Sequence, residues 1–358
     1  MRLTGSSGYV LPTVLVLIAL ASLVSLTAME SVAALASLAE QSRAATRFRA
    51  AALTAEARAV FLMATEPLGP DRVRVGGVRM SVLGAFGEGS GAPTESGVEG
   101  EPLFLDGRPY QLSAAGGPVI ARVQDTAGLL NLNIAREPQL AALFQRQGIG
   151  EDEAVALAAQ VADFVDTDHL RRARGAEERE YRAAGLPPPI NGAFRRPEQI
   201  FAVMDAQRFI SPSRFRGLWP LITSEPDSSA FNINTAPAEV LVARFGLPEA
   251  LAQRAVQRRL GSPYNSLDDL EREVGIALAD DPTITYTFPN GRFRLIIQAA
   301  EGDLSYSSVI VLTPEAADRP FVVESERLSH VEPIAGAASE AFENLPVLPE
   351  PSRPAAGL

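Results

Sequence analysis

One stretch near the amino terminus constrains this chain more than any other. From Leu3 to Met29 there is no charged residue, and Tyr9 to Met29 is a run of 21 residues made mostly of Leu, Val, Ile and Ala. About 20 such residues cross a bilayer as a helix. A secretory signal would have a shorter apolar core, about 7–15 residues, with small residues after it. Here the small residues Gly5-Ser6-Ser7-Gly8 come before the run. An uncleaved membrane anchor is therefore one reading. Beyond Met29 the stretch turns polar but stays helical in pattern, with Glu30, Glu40, Arg43, Arg47, Arg49, Glu56 and Arg58 spread among Ala and Leu. Glu66-Pro67-Leu68-Gly69-Pro70 stops it. The expectation is one helix over 9–66, half in lipid and half packed on a globular part.

The remaining chain is long enough for two cores. Residues 72–83, 102–106, 108–114 and 117–124 read as strands, separated by a Gly/Ser/Glu-rich loop from Gly84 to Gly100. From about residue 127 to 279 the pattern is helical. Strand patterns return at 291–299, 305–312 and 320–324. The expected domains are 1–8 leader, 9–66 helix, 67–126 and 286–330 two parts of one β domain, and 127–285 a helical insertion. Residues 331–358, rich in Pro towards the end, read as a disordered tail.

Composition removes several chemistries. No cysteine is present, so disulfides and thiolate sites are excluded. The net charge of -11 opposes nucleic acid and anionic lipid. The two histidines, His169 and His330, lie far apart, and no nucleophile elbow, zinc-protease helix or phosphate loop occurs. The reading is a protein that is not an enzyme.

Two segments repeat a theme. Asn131-Leu132-Asn133-Ile134-Ala135 precedes one helical stretch and Asn232-Ile233-Asn234-Thr235-Ala236-Pro237 another. Leu132 and Ile233 would face the core. Asn234 or Thr235 would cap the helix that follows, with Pro237 in its first turn. Elsewhere Asp163, Asp166 and Asp168 close a helical segment, and Gly175-Ala176-Glu177-Glu178-Arg179-Glu180-Tyr181 follows. Carboxylates converging from a helix end and a loop suit Ca²⁺. The same residues would equally make a solvated surface paired with Arg171, Arg172 and Arg174.

The segment Met1-Arg2-Leu3-Thr4-Gly5-Ser6-Ser7-Gly8, followed by Tyr9-Val10-Leu11-Pro12-Thr13, resembles a type IV prepilin leader. Together with the NLN and NINTAPAEVL motifs and the order of the insertion, it resembles the K-type minor pseudopilins of type II secretion systems. The resemblance implies an α+β, pilin-like fold: a long N-terminal helix on an antiparallel sheet, interrupted by a large α-helical insertion. It implies cleavage between Gly8 and Tyr9 by a prepilin peptidase, with methylation of Tyr9. Thr13 stands at the fifth mature position, where most relatives carry Glu and the K type does not. The implied partners are I- and J-type minor pseudopilins and the major pseudopilin. The implied place is the bacterial inner membrane, single-pass, with the C-terminal part in the periplasm. The family's calcium pattern points to Asp166, Asp168, Glu177 and Glu178 as ligands, Glu178 replacing an Asp.

Two alternatives remain at this stage: a minor pilin of a type IV pilus, and an anchored helix-hairpin-helix module for DNA uptake. The second rests on Gly148-Ile149-Gly150, Gly246-Leu247-Pro248 and the charges of Arg254, Arg258 and Arg259.

Overall fold

A computed structural model describes residues 10–76, 101–226, 228–278, 285–316, 318–330 and 342–348. The apolar run and the polar stretch after it form a single helix, α1 (Val10–Thr65), of 56 residues, about 84 Å at 1.5 Å per residue. The side chains from Leu11 to Leu38 are exposed to solvent. The second half carries a stripe at three- and four-residue spacing, Phe48, Ala51, Ala52, Ala55, Ala59 and Leu62, that is fully covered. Such a stripe buries one helix face, and the alanines let the sheet approach closely.

The strands follow in order. β1 (Arg72–Val75) and β2 (Glu101–Phe104) form an antiparallel pair. β3 (Asp106–Ala114) and β4 (Gly117–Asp125) form a hairpin. Its turn needs glycine at Gly116, because a Cβ there would stand 1.9 Å from the carbonyl oxygen of Arg47 on α1. The chain then leaves the sheet. It builds β5 (Leu130–Asn131), α2 (Glu137–Arg146), α3 (Glu151–Val165), α4 (Glu178–Ala183), α5 (Ala206–Phe209), α6 (Pro212–Leu218) and β6 (Ile222–Thr223). A second run gives β7 (Phe231–Asn232), α7 (Ala238–Phe245), α8 (Glu249–Gly261), α9 (Leu267–Val274) and β8 (Thr285–Tyr286). The sheet resumes with β9 (Arg292–Ala299), β10 (Leu304–Leu312) and β11 (Phe321–His330), and ends with β12 (Glu343–Asn344).

The main sheet has the order β11-β10-β9-β4-β3-β12. Every neighbouring pair is antiparallel except β12 on β3, which is parallel. α1 lies across β3, β4, β9 and β10 and shares one core with them. The helices between β4 and β9 close around a separate core. β4 and β9 are direct neighbours, with Asp125 opposite Phe293. The insertion therefore leaves and re-enters the sheet at one end of two adjacent strands.

Both Asn-x-Asn motifs perform the same task in their two lobes. The side-chain oxygen of Asn131 accepts the N–H of Asn133 at 3.1 Å, and that of Asn232 accepts the N–H of Asn234 at 3.0 Å. The second Asn of each motif then clamps a distant peptide. Asn133 accepts from the N–H of Phe194 and donates to its carbonyl; Asn234 does the same with Tyr264. Leu132 and Ile233 are buried, as expected. The capping expectation is not met. α7 starts at Ala238 with Pro237 at its cap position, because the Asn234 side chain is already engaged with Tyr264 and Thr235 donates its hydroxyl to Asp125 at 2.8 Å.

The junction of insertion and sheet is polar and buried. Asp125 is fully buried and accepts from Asn232 Nδ2, Thr235 Oγ1 and the N–H of Ala127. Arg294 on β9 donates to the carbonyls of Trp219 and Ile222 and stacks 4.3 Å over the Trp219 ring. Burial pulls its guanidinium down to about 10.

The tail reading needs correction in one part. Residues 342–348 are seated on the sheet, not free of it. β12 takes the open edge of β3, Leu345 is buried in the helix–sheet core, and Arg58 on α1 donates to the carbonyls of Leu345 and Pro346, each at 2.6 Å. An unpaired strand edge and an unfilled core position together hold this segment down. The latter part of the expected strand at 72–83, the Gly-rich loop, and the rest of the tail lie outside the described residues.

Candidate metal centre

The acidic group sits where α3 ends and α4 begins. Asp166 caps the C-terminus of α3, and Glu177 stands just before the first residue of α4. The 166–177 loop folds back so that one carboxylate oxygen each of Asp166, Asp168 and Glu177 lies within 4.8 Å of the others. Packing holds this return. Phe164 on α3 stacks on Phe194 at 5.1 Å, and the buried Tyr181 on α4 accepts the N–H of Met204 through its hydroxyl. The turn also needs Gly175, since a Cβ there would fall 1.8 Å from Asp163 Oδ2.

Among the described residues, three oxygens in this group have no hydrogen-bond donor. Asp166 Oδ1 and both carboxylate oxygens of Glu177 are buried and unpartnered, and Glu177 as a whole is 5% exposed. Burying a carboxylate without donors is costly. Burial, and then the charges of Asp163 and Asp166, push the Glu177 carboxyl above its usual range. A hard cation would relieve this cost, and an all-oxygen donor set fits calcium.

A second anchor lies behind the group. Asp163 is buried, and burial pushes its carboxyl up while Arg172 opposes that shift. Arg172 places Nη1 2.7 Å from Asp163 Oδ1 and closer still to Asp166 Oδ2, while Nε donates to Glu137 on α2 at 2.9 Å.

The four candidate ligands do not all converge. Glu178 opens α4 on the exposed side and pairs with Arg182 at 2.5 Å, outside the group of three. Sequence reasoning also passed over Asn191. Its backbone is left-handed (φ 44°), its Nδ2 donates to the carbonyl of Asp168 at 2.9 Å, and its Oδ1 is buried without a partner. The mark in sequence is the Asn191-Gly192 pair, which signals a turn and not the contact with Asp168. His169 is exposed, with Nδ1 2.8 Å from Asn191 Nδ2.

The DNA-binding alternative is not favoured. Gly148-Ile149-Gly150 does join α2 to α3, but the first turn of α3 carries Glu151, Asp152 and Glu153. The first turn of α8 carries Glu249, which pairs with Arg146. Arg259, expected as a phosphate partner, is buried and donates to the carbonyls of Ile233 and Ala236. Arg254 pairs with Glu273, and Arg258 lies over the Tyr264 ring. Helix ends already facing carboxylates offer phosphate little.

Gly8 and Tyr9 lie outside the described residues. Thr13 is in the first turns of α1. Among the described residues, α1 is the one helix long and apolar enough to cross a membrane.

A helix apolar enough to cross a membrane continues onto a sheet, and a helical domain is inserted between two neighbouring strands, which is an α+β, pilin-like architecture. The insertion carries the likeness to a known family. Two family models, both described as "Type II secretion system (T2SS), protein K", match residues 122–227 and 231–286. Those spans fall on the two Asn-motif lobes. Type II secretion system protein K of Pseudomonas aeruginosa is 26% identical over 207 residues, 54% of this chain and 60% of that protein. Its counterpart in Pectobacterium carotovorum is 28% identical over 178 residues, 44% of this chain and 53% of that one. The chain thus matches little more than half the length of these relatives. A chain in the GspK-GspI-GspJ complex of the enterotoxigenic Escherichia coli type 2 secretion system superposes with a TM-score of 0.46 at 21% identity, over 62% of this chain and 84% of that one. Over these spans the chain is similar to the type II secretion system protein K family.

Proposed function

We propose that this protein is a minor pseudopilin that starts and caps the pseudopilus of a type II secretion system. It would act by assembly and carry out no catalysis. The observation that carries the reading is the joining of a bare, lipid-compatible spine to a head bearing the protein K insertion.

In this reading a prepilin peptidase cuts between Gly8 and Tyr9, and the new N-terminus is methylated. The helix stays in the inner membrane with the head in the periplasm, as Arg2 on the short leader favours. Ala19, Ala21, Ser22, Ser25 and Ala28 are exposed small residues on the spine, the kind that lets helices approach closely in lipid. The partners are I- and J-type minor pseudopilins, with the major pseudopilin below. Thr13 cannot ionise, so it offers no carboxylate to a neighbour's amino terminus. The insertion, standing off one end of the sheet, would obstruct a subunit added above. Both features suit a first subunit.

Asp166, Asp168 and Glu177 would hold a calcium ion. Bound there, the ion supplies the positive charge that the buried oxygens lack and ties the end of α3 to the start of α4. The residues themselves shape the pocket, and Gly175 and the Phe164–Phe194 stack keep it closed.

Co-expression of the tagged chain with the I- and J-type pseudopilins of the same system tests the assembly. The expected result is a detergent-stable complex that elutes as one species. A chain that elutes alone while I and J pair with each other contradicts it.

A further inference from the structure

We propose that Arg172 is a built-in counter-cation of the acidic site, which holds the site in order without metal and weakens its grip on calcium. This inference rests on the cation reading given above and adds a residue that sets the strength of that site.

The geometry gives Arg172 three carboxylates from two helices, Asp163 in α3, Asp166 at its end and Glu137 in α2. Nη1 pairs with Asp163 at 2.7 Å and with Asp166 Oδ2, and Nε pairs with Glu137 at 2.9 Å. Its own N–H also faces both oxygens of Asp163, at 3.2 and 3.3 Å. Asp166 is thus shared: Oδ2 faces the guanidinium, and Oδ1 is buried without a hydrogen-bond partner. A divalent ion on Asp166, Asp168 and Glu177 would sit within a few ångströms of a permanent positive charge. Arg does not lose its proton at working pH, so the repulsion cannot be relieved by titration. Without the ion, the same charge offsets the crowding of Asp163, Asp166 and Glu177. The residue therefore supports the metal-free fold and opposes metal binding. With the ion in place, Arg172 keeps Asp163 and Glu137 and so stays ordered. The result is a site that exchanges its ion.

Calcium titration by calorimetry, with melting curves in chelator and in calcium, tests this on the detergent-solubilised full-length chain. Arg172→Gln should bind calcium roughly fivefold or more tightly, the size expected for removing one nearby charge. Its melting point in chelator should fall, and its gain on adding calcium should exceed that of the wild type. Arg172→Lys keeps the charge and should bind within about twofold of the wild type. Equal or weaker binding by Arg172→Gln overturns the inference and makes Arg172 a positioning residue only. Loss of binding in Arg172→Lys overturns it too, and that test stands if the Gln variant fails to fold. If neither wild type nor Arg172→Gln binds calcium, and Glu177→Gln changes nothing, the cation site itself fails and this inference with it.

Discussion

At the scale of single residues, the buried carboxylates Asp125 and Asp163 carry testable consequences. Asp125 joins sheet and insertion, and burial pushes its carboxyl up to about 6 despite three donors. An exposed Asp titrates near 3.9. The folded state therefore holds the proton more firmly than the unfolded state between about pH 4 and pH 6, and this group's contribution to stability falls as pH rises through that window. Denaturant unfolding of wild type and Asp125→Asn at pH 5 and pH 7.5 checks this. The difference between the two should move in favour of the variant at the higher pH, and a constant difference would contradict it. Asp163 is the second, and Gly175 packs against it. Gly175→Ala drives a Cβ into Asp163 and should cost about 1–3 kcal/mol, read from denaturant midpoints, and weaken calcium binding. Asp166, Asp168 and Glu177 were legible because acids clustered around a helix end stand out in sequence. The pairing of Arg172 with these acids was readable as one alternative, but its reach to Glu137 and the bond from Asn191 to Asp168 were not, because those partners are brought near only by the fold. Arg172 reads in sequence as one of several surface arginines.

At the scale of elements, α1 was legible almost to its bounds, since apolar content and then Glu66-Pro67 mark both its body and its end. β12 was not. Two residues carry no periodicity, and the nearby prolines argue for a loose tail. What orders the segment is tertiary: Leu345 fills a core position and Arg58 grips the backbone on either side. Leu345→Ala should therefore destabilise the head by about 2–5 kcal/mol, measured by urea unfolding. A loss under about 0.5 kcal/mol, normal for exposed sites, would mean the segment is not held. Glu56 and Tyr306 make a comparable tie, with the Tyr306 hydroxyl 3.1 and 3.2 Å from the two Glu56 oxygens. Tyr306→Phe should cost about 1.5–3 kcal/mol by the same assay, because the partner is a buried carboxylate.

At the scale of the whole molecule, two cores and one spine divide the work. The order of helix, strands, helices and strands was readable from pattern alone. The adjacency of β4 and β9 was not, since strand pairing across a long insertion leaves no local mark. That adjacency is what lets a large domain hang from a sheet without breaking it. Neither did sequence periodicity reveal that both Asn motifs clamp a remote peptide, although their likeness to each other was visible. The account as a whole depends on the spine being a processed pseudopilin helix. Mass spectrometry of the N-terminus of the membrane-extracted protein, with and without the prepilin peptidase, tests that most directly. The account predicts a chain beginning at N-methylated Tyr9 only when the peptidase is present. An intact Met1 in its presence, or a cut beyond the apolar run, would contradict it.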